Sequence, residues 1–315
     1  MLGTAQGFEW SSGPSLPRPV TNNAVAAVET SRGLAVFSFL GLDSTKRWNG
    51  VVNWAFRWNL SDAAWREIAP VPGPGRLAAT ARAVGGRIYL LGGYTVQADG
   101  SEQSQPNVDI YDPEHNRWSR GAPIPVPVDD AVSGVWRDSL IYLISGWHDG
   151  VNVTAVQIYD PACDTWQTAT PIRGPPVFGH AGAIVGNTIV YIDGVRVDSN
   201  PRRFALEQSS WRGEIDPTDP TSIAWSRLPD HPGPGLYRAV AGGAPGAEAA
   251  KAAGEAAAAA GRLILFAGGT GNPYNYNGIG YNGVPSQPRS EVFGYDLESG
   301  RWPRFESLPY PVMDL

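Results

Sequence analysis

The sequence predicts an all-β protein built from repeated four-stranded units. Three observations predict it: the composition, a recurring strand–Gly–strand–Tyr-Asp–Trp pattern, and a spacing of about 50 residues between uninterrupted units. The 315-residue chain is only 17% charged but contains 38 Gly, 28 Pro and 12 Trp. That mixture suits short strands joined by tight turns and argues against a helical bundle or a disordered chain. A chain of this length can bury roughly 75% of its unfolded surface, and residues 1–315 read as one domain.

The elements follow in order. A first, small-apolar strand recurs as AVAAV (24–28), TARAV (80–84), AVSGV (131–135), AGAIV (181–185) and AVAGG (239–243). A second recurs as GLAVFSFLG (33–41), RIYLLGG (87–93), SLIYLISG (139–146), TIVYIDG (188–194) and RLILFAGG (262–269). The third is VNWAFRWNL (52–60), VDIYDPEHNRW (108–118), VQIYDPACDTW (156–166), RGEIDPTDP (212–220) and VFGYDLESGRW (292–302). A tryptophan then opens the fourth: Trp65, Trp118, Trp166, Trp225 and Trp302, with Trp10 as a sixth near the N-terminus. Such a unit cannot bury both faces alone, so units stack as blades around an axis. The pattern resembles the kelch-repeat β-propeller family over nearly the whole chain, a resemblance that implies a fold but no activity.

With strands lettered a to d from the axis outward, the chain reads d, then five a-b-c-d sets, then ESLPYPVMDL (306–315) as the start of another strand a. Strands a and d are not neighbours within a blade, so these leftovers cannot pair. The expectation is a kelch propeller of the six-bladed type with its closing blade incomplete and five complete four-stranded blades, roughly 30 residues short on the repeat period. The alternative is a five-bladed ring with frayed ends. Residues 243–262 are an Ala-rich insert in an a–b turn, on the face opposite the predicted site, and read as a marginal helix or a flexible segment.

Several function classes are excluded. A net charge of −6 gives no basic footprint for nucleic acid, and no apolar run approaches the ~20 residues of a membrane span. The opening MLGTAQGFEW shows no signal peptide, so the cytoplasm is the default, with periplasm or secretion open if the start is missing. The lone Cys163 lies in a c–d turn, away from the loop face, which argues against a copper radical site of the galactose oxidase kind. The stretch 278–283 spells G-x-G-x-x-G without a βαβ context, so dinucleotide binding is rejected and no cofactor is implied.

The two faces differ. The a–b turns, apart from the insert, and the c–d turns are short, whereas the b–c loops are long and idiosyncratic, notably 92–107 and 268–288. Long loops on one side of a rigid scaffold are where binding resides. The residues just before strand a are Asn23, Ala79, Asp130, His180 and Arg238, preceded in three blades by Asn22, Asp129 and Tyr237. Equivalent positions on innermost strands surround the channel mouth, so these polar groups are expected to face one another. The structural alternative is that they only satisfy backbone groups at turns.

A site follows from that inventory. Asp130 and His180 are the candidate base and acid and Arg238 the orienting group. Asn22, Asn23, Asp129, His148 and Asn272 supply further polar contacts, and Tyr94, Trp147, Tyr237, Tyr274 and Tyr276 supply aromatic platforms. Flat rings cover the C–H face of a sugar while carboxylates, amides and Arg take its hydroxyls, and Arg238 would also suit an acidic sugar. A metal site from His148, His180, Asp129 and Asp130 lacks any fixed ligand spacing, and none is expected. The adjacent His148–Asp149 pair sits on a turn, where neighbours point apart. The layout is also similar to the kelch mutarotase and sialic-acid epimerase family in LPRP (16–19), Gly179–His180 and FAGG (266–269) before a Gly/Asn/Tyr loop. That similarity implies opening or inversion at an anomeric centre, with a sugar as partner. The rival reading is a non-catalytic scaffold that binds protein or carbohydrate.

Overall fold

The computed structural model describes residues 10–198, 204–243 and 263–314. The Ala-rich insert lies outside them, between strand a (Val240–Gly243) and strand b (Leu263–Ala267) of the last blade. Among the described residues no helix is long and apolar enough to cross a membrane.

Five antiparallel blades form in sequence order. Blade 1 pairs Ala24–Thr30, Gly33–Phe39, Ala55–Asn59 and Arg66–Glu67. Blade 2 pairs Thr80–Val84, Arg87–Leu91, Val108–Asp112 and Arg117–Arg120. Blade 3 pairs Val132–Trp136, Leu140–Ile144, Val156–Asp160 and Thr165–Ala169, and blade 4 pairs Ala181–Val185, Thr188–Ile192, Ser210–Ile215 and Ile223–Leu228. Blade 5 has three ladder strands, ending with Val292–Asp296. Its fourth position is filled irregularly, through the Phe293–Arg304 bridge and the bonds Phe305 N to Val292 O and Leu308 N to Ser290 O. The expected N-terminal strand d does not form within the described residues, where the chain before Val20 is irregular.

The repeat residues have distinct physical tasks. Each repeat tryptophan donates its indole N–H to a carbonyl preceding its blade: Trp65 to Pro14, Trp118 to Ala69, Trp166 to Ala122, Trp225 to Thr170 and Trp302 to Pro229. The strand-c tyrosine packs on that indole, with ring centroids 4.9 Å apart for Tyr111–Trp118 and 4.7 Å for Tyr295–Trp302. The following aspartate caps the c–d turn, as Asp160 does by accepting from Ala162 N at 2.8 Å. At the end of strand b the chain turns through two consecutive positive φ angles, as at Asp193 (58°) and Gly194 (96°). A Cβ at Gly194 would lie 2.9 Å from the Phe178 carbonyl of the incoming d–a connection, so only glycine lets the two backbones cross.

The core is the set of interfaces between blades. Phe37, Phe39 and Ala35 of blade 1 cluster with Ala81, Ile88, Leu90 and Tyr111 of blade 2, and Tyr142, Ile144 and Ile158 of blade 3 with Ile189, Tyr191 and Ile215 of blade 4. Each of the buried Phe, Ile and Leu side chains among them contributes about 1.5–3 kcal/mol by leaving water.

A six-membered belt closes the loop-face end of the axis. Asp130 N donates to Ala78 O, Gly179 N to Asp130 O, Arg238 N to Gly179 O, Asp314 N to Arg238 O and Asn22 N to Asp314 O. Ala78 N closes the circle on Asn22 Oδ1 at 2.5 Å. All six residues have positive φ, from 49° at Asp130 to 71° at Asp314. Five members enter the five blades, and Asp314 holds the sixth station. The belt also corrects the expected alignment. The true equivalents are Asn22, Ala78, Asp130, Gly179, Arg238 and Asp314, so Asn23, Ala79 and His180 sit one residue further along the chain than Asp130 and Arg238.

Candidate functional site

Two cavities meet at the belt. Below it, an axial channel of about 310 Å³ is lined by strand-a residues together with Asn23, Arg82, His180 and the belt residues. Above it, under the b–c loops, lies a cavity of about 250 Å³ lined by Tyr94, Glu102, Asp129, Asp130, Trp147, Phe178, Phe204, Tyr237, Arg238, Tyr274, Tyr276 and Tyr281, among others. Asp130 and Arg238 border both.

The floor of the upper cavity is an ion cluster. Arg238 Nε and Nη2 donate to Asp130 Oδ1 and Oδ2 at 2.9 and 2.7 Å, and Nη1 donates to Asp314 Oδ1 at 2.7 Å. The guanidinium lies 5.0 Å from the Tyr237 ring centroid and 5.2 Å from that of Tyr274. Burial opposes the charge on Arg238, but Asp130, Tyr237 and Asp314 outweigh it and hold its pKa well above the usual value. Asp314 is anchored in turn by the Thr21 hydroxyl, which donates to Oδ2 at 2.9 Å.

Asp129 has a different environment. Its backbone bridges Trp147, and its Oδ2 accepts from the Ser104 hydroxyl at 2.6 Å. Burial first, and the Asp130 charge second, push its carboxyl well above the usual carboxylate range, while the Ser104 bond opposes them. Asp130 is also raised by burial, but its bidentate Arg238 partner opposes this directly, so burial favours the protonated form more at Asp129 than at Asp130. Glu102, at the rim, is raised by burial as well.

The sign of the linkage gives a test. A carboxyl whose folded pKa exceeds its unfolded value contributes stability fully below the unfolded pKa and loses it as pH rises through the folded one. Asp129→Asn keeps an acceptor for Ser104 and stays neutral. Its melting temperature relative to the wild type is expected to rise steadily as the pH is taken from mildly acidic to alkaline in thermal-melt scans.

One wall is a continuous run of rings. Tyr281 packs on Phe204 (4.2 Å between centroids), Phe204 on Trp147 (5.7 Å) and Trp147 on Phe178 (5.2 Å). The run continues from Phe178 to Tyr237 (5.6 Å) and from Tyr237 to Tyr274 (5.2 Å). Tyr237 is 1% exposed and its hydroxyl has no hydrogen-bond partner among the described residues.

The structure gathers Tyr94, Asp129, Asp130, Trp147, Tyr237, Arg238, Tyr274 and Tyr276 around the upper cavity. It sends others elsewhere. His180 lines the channel, packs edge-on to Tyr191 at 5.6 Å, and is lowered by burial to about 3, which keeps it neutral. Asn23 faces the channel and donates to Ser38 Oγ at 2.8 Å, and Asn22 is spent on the belt. His148 Nδ1 bonds the Pro127 carbonyl at 2.7 Å, while Asp149 accepts from Ser104 N at 2.9 Å, so the adjacent pair does point apart. Asn272 braces its own loop by donating to Val284 O at 3.0 Å. His231, which reads as a proline-flanked turn residue, is instead buried, 2.7 Å from Asp193 Oδ2 and stacked on Phe293. Glu102, Phe178, Phe204, Tyr281 and Asp314 escaped the sequence reading. Glu102 and Tyr281 lie in long loops whose length alone marked them as candidates.

Likenesses to known proteins agree with this architecture. The kelch motif family matches residues 75–125. Kelch-like protein 15 of Gallus gallus is 28% identical over 131 residues, which are 41% of this chain and 26% of that protein. Kelch repeat and BTB domain-containing protein 12 of Danio rerio is 31% identical over 137 residues, 40% of this chain and 22% of that protein. Kelch-like protein terF of Aspergillus terreus is 25% identical over 269 residues, 73% of this chain and 55% of that protein. The chain therefore spans about a quarter of the first two relatives and about half of the third. The solved structure of YjhT superposes with a TM-score of 0.71 at 17% identity, covering 96% of this chain and 88% of that one, a likeness of fold. Repeat chemistry, blade topology and these likenesses converge on a β-propeller built from kelch-type repeats, with the kelch motif matched at residues 75–125.

Proposed function

We propose that the upper cavity binds a small polyhydroxylated ligand, a sugar, and that Asp129 and Asp130 act on it in a mutarotase- or epimerase-type isomerisation. The observation that carries this reading is the pair of adjacent carboxylates with opposed environments on a ring-walled cavity. Burial favours the protonated form of Asp129, which suits it to donate a proton. Arg238 favours the ionised form of Asp130, which suits it to accept one. Opening a hemiacetal needs both, with the acid at the ring oxygen and the base at the anomeric hydroxyl. Asp129 takes the acid role that the sequence suggested for His180, whose imidazole is neutral and on the channel side. Arg238 is a positioning residue for Asp130.

The test is anomer exchange of reducing sugars followed by NMR on the full chain. Asp129→Asn is expected to lower the exchange rate by about 10²-fold with the fold intact. A rate equal to the wild type would remove the catalytic reading and leave a binding scaffold. A second reading, docking of a protein, draws on the exposed apolar side chains Trp48 (45%), Val151 (55%) and Val284 (56%) on b–c loops of the same face. Capture of a protein partner that survives Asp129→Asn but is lost in Val151→Asp/Val284→Asp would favour it.

A further inference from the structure

Strand a is built of small apolar residues, and one seam of the axial channel breaks that pattern. Four residues beyond the belt the blades place Ala26, Arg82, Gly134, Ala183 and Gly242 in turn. Beside Arg82 stand Thr80 and Ser133, where the equivalent positions of the other blades hold Ala, Val or Gly. All three polar residues line the channel, where blades 2 and 3 meet. Packing between blades calls for small side chains here, as where Ala24 and Ala26 meet Ala81, and gives no reason for a guanidinium.

The seam has donors to spare. Arg82 Nε and Nη2 donate to Ser133 O at 3.2 and 2.8 Å, and Nη1 donates to Ala81 O at 3.0 Å. A guanidinium carries five N–H groups, so one remains on each terminal nitrogen. The Thr80 and Ser133 hydroxyls bond each other, which uses one proton and leaves the other without an acceptor among the described residues. No carboxylate among the described residues pairs with Arg82, and its three carbonyl partners do not neutralise its charge. Burial lowers its pKa to about 10, which leaves it protonated at neutral pH. The belt carboxylates Asp130 and Asp314 border the same channel, but both are turned to Arg238. A rise of about 3.3 Å per residue sets Asp130 roughly 10 Å along its strand from Ser133. The channel, at about 310 Å³, has room for a small ion and several waters.

The geometry points to a second binding site, in the axial channel: Arg82, with Thr80 and Ser133, seats a small inorganic oxyanion of the phosphate or sulfate class between blades 2 and 3. Two N–H groups on a planar fork and a hydroxyl proton match the oxygens of such an ion. The site is separate from the upper cavity and stands whether or not that cavity takes a sugar. An ion held by residues of two blades ties them together and stabilises the fold by mass action.

Thermal melts of the full chain test it, with sodium phosphate replacing sodium chloride at constant ionic strength and neutral pH, alongside phosphorus NMR line widths. The melting temperature is expected to rise saturably with a midpoint in the millimolar range, and the phosphate line to broaden. Sulfate should raise the melting temperature in the same way. Arg82→Met should lose both responses yet keep or gain stability in chloride, because it removes a buried charge that no side chain balances. Arg82→Lys keeps the charge without the fork and should shift the midpoint roughly 10-fold upward. No response, a rise that never saturates, or an equal response in Arg82→Met overturns the inference. Should the methionine variant not fold, an unshifted midpoint in Arg82→Lys overturns it equally.

Discussion

Replacing Arg238 with Ala is expected to cost about 3–5 kcal/mol in chemical denaturation, more than any other single change at the site. The side chains of Arg238, Asp130 and Asp314 are 7%, 9% and 6% exposed, so none of the three charges has water to fall back on. Removing the guanidinium leaves two carboxylates facing an empty space, and it also frees the Asp314 station that closes the belt. The effect depends on pH in a definite direction. Burial already raises the Asp130 pKa, and Arg238 is what restrains that rise. In the variant the folded pKa climbs further above the unfolded value, so the deficit is largest at neutral and alkaline pH and shrinks as acid protonates the carboxyls. Adding Asp130→Asn and Asp314→Asn to an Arg238→Met background should recover most of the loss, because breaking a buried ion cluster costs more than replacing it whole. A deficit below about 1 kcal/mol that does not change with pH would mean that water enters and solvates the cluster.

What was legible in the sequence follows from what recurs. Trp118, Trp166 and Trp302 stand out because each blade needs the same indole bond to its predecessor, so the same residue returns at the same place. Blade order and the split between short turns and long loops followed from those repeats. The belt was half legible. Asn22, Asp130 and Gly179 are residue types that tolerate positive φ, whereas Ala78 and Arg238 give no such signal. Small apolar strands also mask register, since Ala131 and Val132 both look like the first residue of strand a. That ambiguity placed His180 beside Asp130, when the backbone sets it one residue beyond the belt. The remaining misses are long-range. Nothing local to Asp314 points to Arg238, 76 residues away, nor does the proline-flanked His231 announce Asp193, 38 residues away.

The second large effect lies in blade 2. Asp109→Ala is expected to cost about 3–5 kcal/mol, against less than about 1 kcal/mol for Arg120→Ala, although both break an ion pair on the same carboxylate. Asp109 is 0% and Arg76 1% exposed, joined at 2.7 Å, while Arg120 reaches Asp109 at 3.0 Å from a half-exposed position. Burial already depresses the Arg76 pKa, with Asp109 as the main opposing influence, so deleting the carboxylate strands a charge that cannot leave. Deleting Arg120 removes only a screened partner, and its small cost should vanish in high salt. The difference also reaches the ligand cavity. Arg76 stands next to Leu77, which exchanges both backbone hydrogen bonds with Tyr94 on the cavity wall at 2.9 Å. Loosening Arg76 should therefore weaken ligand binding in Asp109→Ala and leave it unchanged in Arg120→Ala, a split that titration of both variants with the same ligand would read directly. Equal losses of stability in the two variants would show that the buried pair is no more protected from water than the exposed one.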